Sequence, residues 1–344
     1  MPTAQRASGA LFGMAFGDAL GARTEFLTVE RILQQFPPAG PVAPEGSPAL
    51  VTDDTQMALA VGEALLEAPR PYTAATLEPP LRRAFLAWYN SPDNTRATGN
   101  TCLSACERLE RGLPWLEATI ANSKGCGANM RVAAVGLLPP TPGGQAARAT
   151  STNHSAIAQF QAALTHGHPT GLAAADLTAM TVQHLAAGGA PGDLPRWLRQ
   201  YAQSQRSVYH ADWLGTLWQR PGVTSPEEFI GRGWDECLAV LDRLDAALAQ
   251  PDRASDPCLA TGAGWVAEEA FGTGLLCFLL FPNDPVAAIR RAAVSSGDSD
   301  SIACLTGAFA GAAHGLAAWP AEWVQRIEYR ERLERLGAAW DAAF

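Results

Sequence analysis

The chain has no lysine- and arginine-rich run. Its 25 basic residues are outnumbered by 34 acidic ones, for a net charge of −9. A nucleic-acid binder needs clustered cations to neutralise phosphates, so nucleic acid is argued against as a partner. A phosphate-bearing small molecule stays open, because backbone N–H groups and metal ions hold phosphate without a basic patch. Long apolar runs are missing too. The longest uncharged one, residues 275–281, falls far short of the ~20 residues that span a bilayer, so no membrane association is expected. The apolar stretch at residues 8–20 is interrupted by Asp18 and carries no cleavage-site pattern, which speaks against a secretory leader. Seven cysteines are an odd number and include no Cys-x-x-Cys pair. Reduced, buried thiols in a cytoplasmic protein are the expectation. Period-two alternation of β-branched residues is nearly absent, so strands should be few at best.

What the chain does have is helical periodicity cut by proline and glycine. Apolar residues recur at helical spacing over 5–21, 54–66, 81–89, 101–111, 155–164, 173–187 and 194–203, and again over 226–249, 265–281, 285–295 and 301–318. Loops are marked at 36–48, 138–145 and 188–195. Length alone suggests two domains, and any of these loops has the composition of a linker. Two acidic clusters at opposite ends argue instead for one closed unit. The expectation is a single all-α domain over residues 1–344, with 47% hydrophobic residues to fill its core.

The first cluster is Val51-Thr52-Asp53-Asp54-Thr55; the second is Ser296-Gly297-Asp298-Ser299-Asp300-Ser301. Carboxylates and hydroxyls are hard oxygen ligands that suit Mg²⁺ or Mn²⁺ better than zinc. Each cluster also precedes a helix, where one Thr or Asp commonly serves as an N-cap. Capping needs one such residue, and here several stand together. If the fold joins the clusters, the repulsion among four carboxylates calls for cations. Both Asp298 and Asp300 can reach one metal pair only if the chain turns at Ser299, since alternate residues of an extended segment diverge. The helix that follows is rich in small residues (Gly307, Ala308, Ala310, Gly311, Ala312 and Ala313). It can pack closely and hold its leading loop rigid, or simply be a core helix.

Five segments, in order along the chain, resemble the ADP-ribosylglycohydrolase family. They are residues 9–21 (GALFGMAFGDALG) with Glu25, Thr52-Asp53-Asp54-Thr55, residues 124–132 (KGCGANMRV), Thr165-His166-Gly167-His168-Pro169, and Gly297-Asp298-Ser299-Asp300-Ser301. Residues 264–270 (GWVAEEA) are also similar. The resemblance implies a compact orthogonal helical domain with a metal cleft holding two divalent cations, Mg²⁺ or Mn²⁺. Their ligands would be Thr52, Asp53, Asp54, Asp298, Asp300 and Ser301, the last in place of a common Thr. Glu25 corresponds to a flap glutamate that gates the cleft, although an isolated Glu there would otherwise read as solvent-facing. Asp18 reads as a packing or supporting residue rather than a ligand. Ser123, Gly125, Cys126 and Gly127 would contact the ADP-ribose diphosphate and distal ribose, with Cys126 replacing an Asn of some members. His166 would lie near substrate or be a satisfied structural histidine, and His168 has the weaker claim. Asn100 borders the cleft or caps a helix. Arg131 is expected to pair with an interior carboxylate.

The implied activity is hydrolysis of the N- or O-glycosidic bond between ADP-ribose and a modified acceptor, in a protein or a small-molecule conjugate. Glu25, Asp53, Asp54 and Asp300 would be the catalytic set. Two alternatives stay open: hydrolysis of another ADP-ribose-like metabolite, and non-catalytic ADP-ribose binding. Neither the acceptor linkage nor the oligomeric state is readable.

Overall fold

The computed structural model describes residues 4–139 and 146–343, with backbone alone over 146–153. Among the described residues there are thirteen helices of seven residues or more. They are α1 (Arg6–Gly21), α2 (Val29–Gln35), α3 (Asp53–Glu67), α4 (Ala74–Tyr89), α5 (Asn100–Glu110), α6 (Ala146–Ala163) and α7 (Pro169–Ala186). The rest are α8 (Leu194–Gln205), α9 (Pro226–Ala249), α10 (Ala267–Leu280), α11 (Pro285–Ala293), α12 (Ser299–His314) and α13 (Arg330–Asp341). Extended pairing among these residues is confined to isolated bridges, such as Gly125 with Val266 and Ile120 with His166. The architecture is all-α.

Helices α1, α7, α10 and α12 are apolar or small on nearly every face, and nearly all their residues are buried. Such helices belong at the centre of a large core. The amphipathic α3, α4, α8, α9 and α11 surround them. The innermost pair, α1 and α12, runs antiparallel on a ridge of small residues spaced by four. Gly9, Gly13, Gly17 and Gly21 meet Gly311, Gly307, Ala303 and Ser299 in turn. A Cβ built on Gly13 would sit 2.3 Å from the Gly307 carbonyl oxygen, and one on Gly17 would sit 1.9 Å from that of Ala303. Backbone therefore lies on backbone along four turns, with side-chain ridges of the i±4 kind reduced to nothing. This contact brings Asp18 of α1 beside Asp300 of α12.

Some boundaries differ from the periodicity. Helix α4 starts at Ala74 rather than at 81. A reciprocal Thr73–Thr76 capping box opens it, and Pro79 and Pro80 are accommodated inside it while Leu77, Leu81, Phe85 and Trp88 are buried. The pair of prolines reads as a stop only if the buried face is ignored. Helix α12 ends at His314, where Gly315 takes φ 80°. Helix α13 was not anticipated: its Arg/Glu-rich sequence hides a buried face of Leu333, Leu336 and Trp340. Its Asp341 accepts hydrogen bonds from the Ser8 N–H (3.0 Å) and hydroxyl (2.6 Å), which caps the start of α1. The loop expected at 138–145 lies mostly outside the described residues. All seven cysteines are free, and six are buried. Among the described residues, no helix is long and apolar enough to cross a membrane.

Candidate metal centre and ligand cleft

Thr52 is the N-cap of α3, its hydroxyl accepting from the Asp54 N–H at 3.3 Å. The capping reading is thus correct for Thr52, and it leaves Asp53 and Asp54 in the first turn free for another purpose. Asp18 secures this turn from α1. Its carboxylate accepts from the Thr52 N–H (3.0 Å) and hydroxyl (2.8 Å) and from the Thr55 N–H (3.0 Å) and hydroxyl (2.5 Å). On α12, Asp298 occupies the N-cap position without a side-chain capping bond. Ser299 turns away, its hydroxyl donating to the Gly21 carbonyl at 2.9 Å. That is the turn required for Asp298 and Asp300 to face one place.

The place is a cleft of about 330 Å³. Glu25, Asp53, Asp54, Asp298, Asp300 and Ser301 line it, and so do Asn100, Gly125, Cys126, Gly127 and His166. Of the expected metal ligands and substrate-binding residues, Thr52 and Ser123 do not line it. Thr52 lies one layer behind, donating to Asp18. Ser123 shares a 2.9 Å hydrogen bond with Thr101, which does line the cleft.

The glycine loop is tied down by its neighbours. The Cys126 N–H donates to the Trp265 carbonyl (3.2 Å), and the Ala267 N–H donates to that of Lys124 (2.8 Å). Lys124 itself points to Glu236 and Glu268, 2.5 Å from each, and so is occupied outside the cleft. A Cβ on Gly127 would come within 2.8 Å of the Cys102 sulfur and 3.2 Å of the His166 ring, so this close approach demands glycine. His166 bonds through Nδ1 to the Thr165 hydroxyl at 2.8 Å. Burial, helped by the nearby Arg131, lowers its pKa to about 3, so the ring is neutral at any ordinary pH. His168 instead caps α7, accepting from the Thr170 N–H.

Arg131 corrects one expectation. It is fully buried and has no carboxylate in its hydrogen-bond set. Its guanidinium donates to the side chain (2.7 Å) and backbone (2.8 Å) oxygens of Gln161 and to the Thr165 hydroxyl (2.9 Å), and lies 4.3 Å above the Phe85 ring. Neutral acceptors and a π-face satisfy it.

Among the described residues, no lysine or arginine lines the cleft. Its carboxylates are consequently under strain. Burial first, and the charge of Asp300 next, raise Asp53, Asp54 and Asp298 well above the usual carboxyl range. The same two causes raise Glu25 to about 9 and Asp18 to about 7. One oxygen each of Glu25, Asp298 and Asp300 lie within 4.8 Å of one another. Asp54 Oδ2 is buried with no hydrogen-bond partner, a costly state that a cation would relieve. Burial keeps the Cys126 thiol protonated, well above its ordinary pKa, and the neutral His166 ring also lines the cleft, but the donors of the two acidic segments are carboxylate and hydroxyl oxygens. That set fits Mg²⁺ or Mn²⁺.

The aromatic lining residues were not assigned to the site from the sequence. Phe26 and Trp265 stack across the cleft mouth, ring centroids 5.3 Å apart. Trp265 stands in a segment already noted by resemblance, but nothing in the sequence ties it to Phe26.

Comparison with known proteins gives the family and the fold. The family model for ADP-ribosylglycohydrolase matches residues 1–343. An ADP-ribosylarginine hydrolase, Tri1, of Serratia proteamaculans is 26% identical over 96% of this chain and 77% of its own length. The ADP-ribosyl-[dinitrogen reductase] glycohydrolase of Rhodospirillum rubrum is 34% identical over 53% of this chain and 58% of its own length. The human ADP-ribosylhydrolase ARH3 is 28% identical over 98% and 93% respectively. A solved structure titled as an ADP-ribosylglycohydrolase-related protein complex shares the fold, with a TM-score of 0.66 at 22% identity, covering 100% of this chain and 99% of its own. With a carboxylate-rich cleft at the meeting of α1, α3 and α12 and a family match along the whole chain, this protein is a hydrolase belonging to the ADP-ribosylglycohydrolase family.

Proposed function

We propose that this chain acts as one domain and hydrolyses the glycosidic bond between ADP-ribose and a modified acceptor, using two divalent cations, Mg²⁺ or Mn²⁺. The observation that carries the reading is the orphaned, buried Asp54 Oδ2 among carboxylates that no cationic side chain offsets. Thr52, Asp53, Asp54, Asp298, Asp300 and Ser301 would hold the cations. Thr52 does so from behind, since its hydroxyl donates to Asp18 and keeps a lone pair for the metal side. When bound, the cations would supply Lewis-acid polarisation and would lower the pKa of water at the site.

The chain's own residues do the rest. In the glycine loop at residues 125–127 the Cys126 N–H is taken by the Trp265 carbonyl and the Gly125 N–H by the Ser123 hydroxyl at 3.4 Å, so the Gly127 N–H and the side-chain-free surface of the two glycines are what would meet a diphosphate, while Lys124 is held outside the cleft by Glu236 and Glu268. Neutral His166 offers one ring nitrogen toward the cleft while Thr165 holds the other, a fixed hydrogen-bonding partner for a ribose or phosphate oxygen. The N-terminal turn of α5, with Asn100 and Thr101, closes another wall. Departure of the acceptor builds oxocarbenium character at the anomeric carbon, which surrounding carboxylates stabilise, and one of them accepts the proton of the attacking water. Glu25, on the turn after α1, stands 4.8 Å or less from Asp298 and Asp300 and must withdraw for the ribose to enter.

The relatives named for ADP-ribosylarginine make an N-linked guanidine the first acceptor to try. The free thiols suit a reducing, cytoplasmic setting. The test is release of ADP-ribose from arginine- and serine-linked substrates with Mg²⁺, with Mn²⁺ and with EDTA. Release from one linkage that EDTA abolishes supports the proposal and names the acceptor. ADP-ribose binding with no release from either substrate would replace it with a binding role.

A further inference from the structure

The residue after Glu25 is conspicuously placed. Phe26 is 72% exposed, and its backbone is left-handed at φ 63°. Either feature is unfavourable for a phenylalanine: the conformation crowds its Cβ and the exposure wets its ring. Such a state persists only where a neighbour over-determines it. The neighbour is Trp265, half-exposed, whose ring lies 5.3 Å away at 19°. The two rings come from segments more than 200 residues apart. Phe26 belongs to the tight turn after α1, in which the Glu25 N–H donates to the Gly21 carbonyl and that of Leu27 to Thr24. The Trp265 carbonyl accepts from the Cys126 N–H and so anchors the glycine loop. The stack therefore bridges the mouth from the gate to the wall opposite. It is the next residue's grip on Glu25.

We propose that Phe26 is a positioning residue: its stack on Trp265 holds Glu25 against Asp298 and Asp300, so that entry of a ligand and withdrawal of Glu25 are a single event. The inference rests on the proposed ADP-ribose cleft and adds how it is gated. A closed gate lowers apparent ligand affinity by the fraction of time the cleft is open. The same gate places a carboxylate oxygen where it favours a cation.

The test uses the full chain with Phe26→Ala, Glu25→Ala and the double variant. Mn²⁺ affinity is measured by calorimetry without nucleotide, and ADP-ribose affinity at saturating Mn²⁺. Phe26→Ala should weaken Mn²⁺ binding and tighten ADP-ribose binding, each by about 3- to 10-fold. Phe26→Tyr should restore both, and in the Glu25→Ala background Phe26→Ala should change neither. Unchanged affinities in Phe26→Ala would overturn the proposal. So would a weaker ADP-ribose affinity of equal size with and without Glu25, since Phe26 would then be a direct ligand contact. A parent chain that binds Mn²⁺ but not ADP-ribose would refute the proposed function, while the Mn²⁺ arm still decides the gate.

Discussion

Replacing Gly17 by alanine probes the contact on which the site is built. The new Cβ would lie 1.9 Å from the Ala303 carbonyl oxygen and 2.3 Å from its carbon. An ordinary contact begins near 3.4 Å, so the α1 and α12 backbones must part by about 1.5 Å, 3.4 less 1.9. Neither obstacle is a side chain that can swing away. Overpacking a tight core typically costs about 1–3 kcal/mol, and backbone against backbone belongs at the top of that range. Alanine's better helix propensity returns about 1 kcal/mol. The net loss is about 2 kcal/mol; at an unfolding entropy of about 2.1 cal/mol/K per residue, a chain of 344 residues loses about 1.4 °C per kcal/mol, so Tm falls by about 3 °C. Function should fall further. Gly17 adjoins Asp18, and the partner helix starts with Ser299 and Asp300, so the parting moves one half of the acidic set against the other. A displacement of that size can cost about 100-fold in turnover. Gly62→Ala is the control, because its nearest obstacle is the flexible end of Leu336 at 2.9 Å. Calorimetric Tm and ADP-ribose release at fixed Mn²⁺ are the readouts. A Gly17→Ala protein with parental Tm and turnover, or one no worse than Gly62→Ala, would refute the backbone-contact argument.

Three further outcomes follow from the same geometry. Asp300→Asn should cut turnover by about 100-fold or more yet raise Tm in EDTA, since the Asp300 charge raises Asp18, Glu25, Asp53, Asp54 and Asp298 alike; full activity in this variant would sink the metal reading. Glu328 accepts from both Arg96 guanidinium nitrogens (2.6 and 3.0 Å) and from the Val51 N–H (3.0 Å), clasping the loop before α5 to the start of α3. Glu328→Gln should raise KM several-fold for a stability cost of about 1–3 kcal/mol, whereas Asp341→Asn, a similar cost at the far end of α1, should leave KM alone; equal KM in both variants contradicts the clasp. Asp176 is buried, and burial raises its carboxyl from 3.8 to about 6 despite hydrogen bonds from Ser155, Tyr201 and Gln159. Its contribution to stability is therefore greatest below about pH 4, declines as pH rises to about 6, and is flat above. Asp176→Asn should gain on the parent by up to about 3 kcal/mol between pH 4 and pH 7 in urea titrations; parallel curves would contradict the raised carboxyl.

How far these features were legible depends on whether a residue's role is set by its own segment or by what crosses it. Helices α1 and α12 could be read because helices apolar on every face can only be central. The acidic clusters could be read because three or four hard ligands in a row exceed what capping requires. Arg131 could not. Periodicity marks it as interior, but which group meets a buried guanidinium depends on the neighbouring helix, and here α6 presents Gln161 rather than an acid. Helix α13 was hidden by its charge, because its apolar stripe is narrow and its stability comes from docking on α1 and α3. The start of α4 is hidden for the opposite reason: Pro79 and Pro80 interrupt the periodicity, yet the helix runs through them from Ala74 because Leu77, Leu81, Phe85 and Trp88 are buried together. Phe26 is the sharpest case. Read alone, it is a hydrophobic residue ending a turn, and only the approach of Trp265 from the other end of the chain makes that turn part of the site. The legible residues are those whose chemistry is local. The Phe26–Trp265 stack is illegible because it is a contact, and a contact belongs to two segments at once.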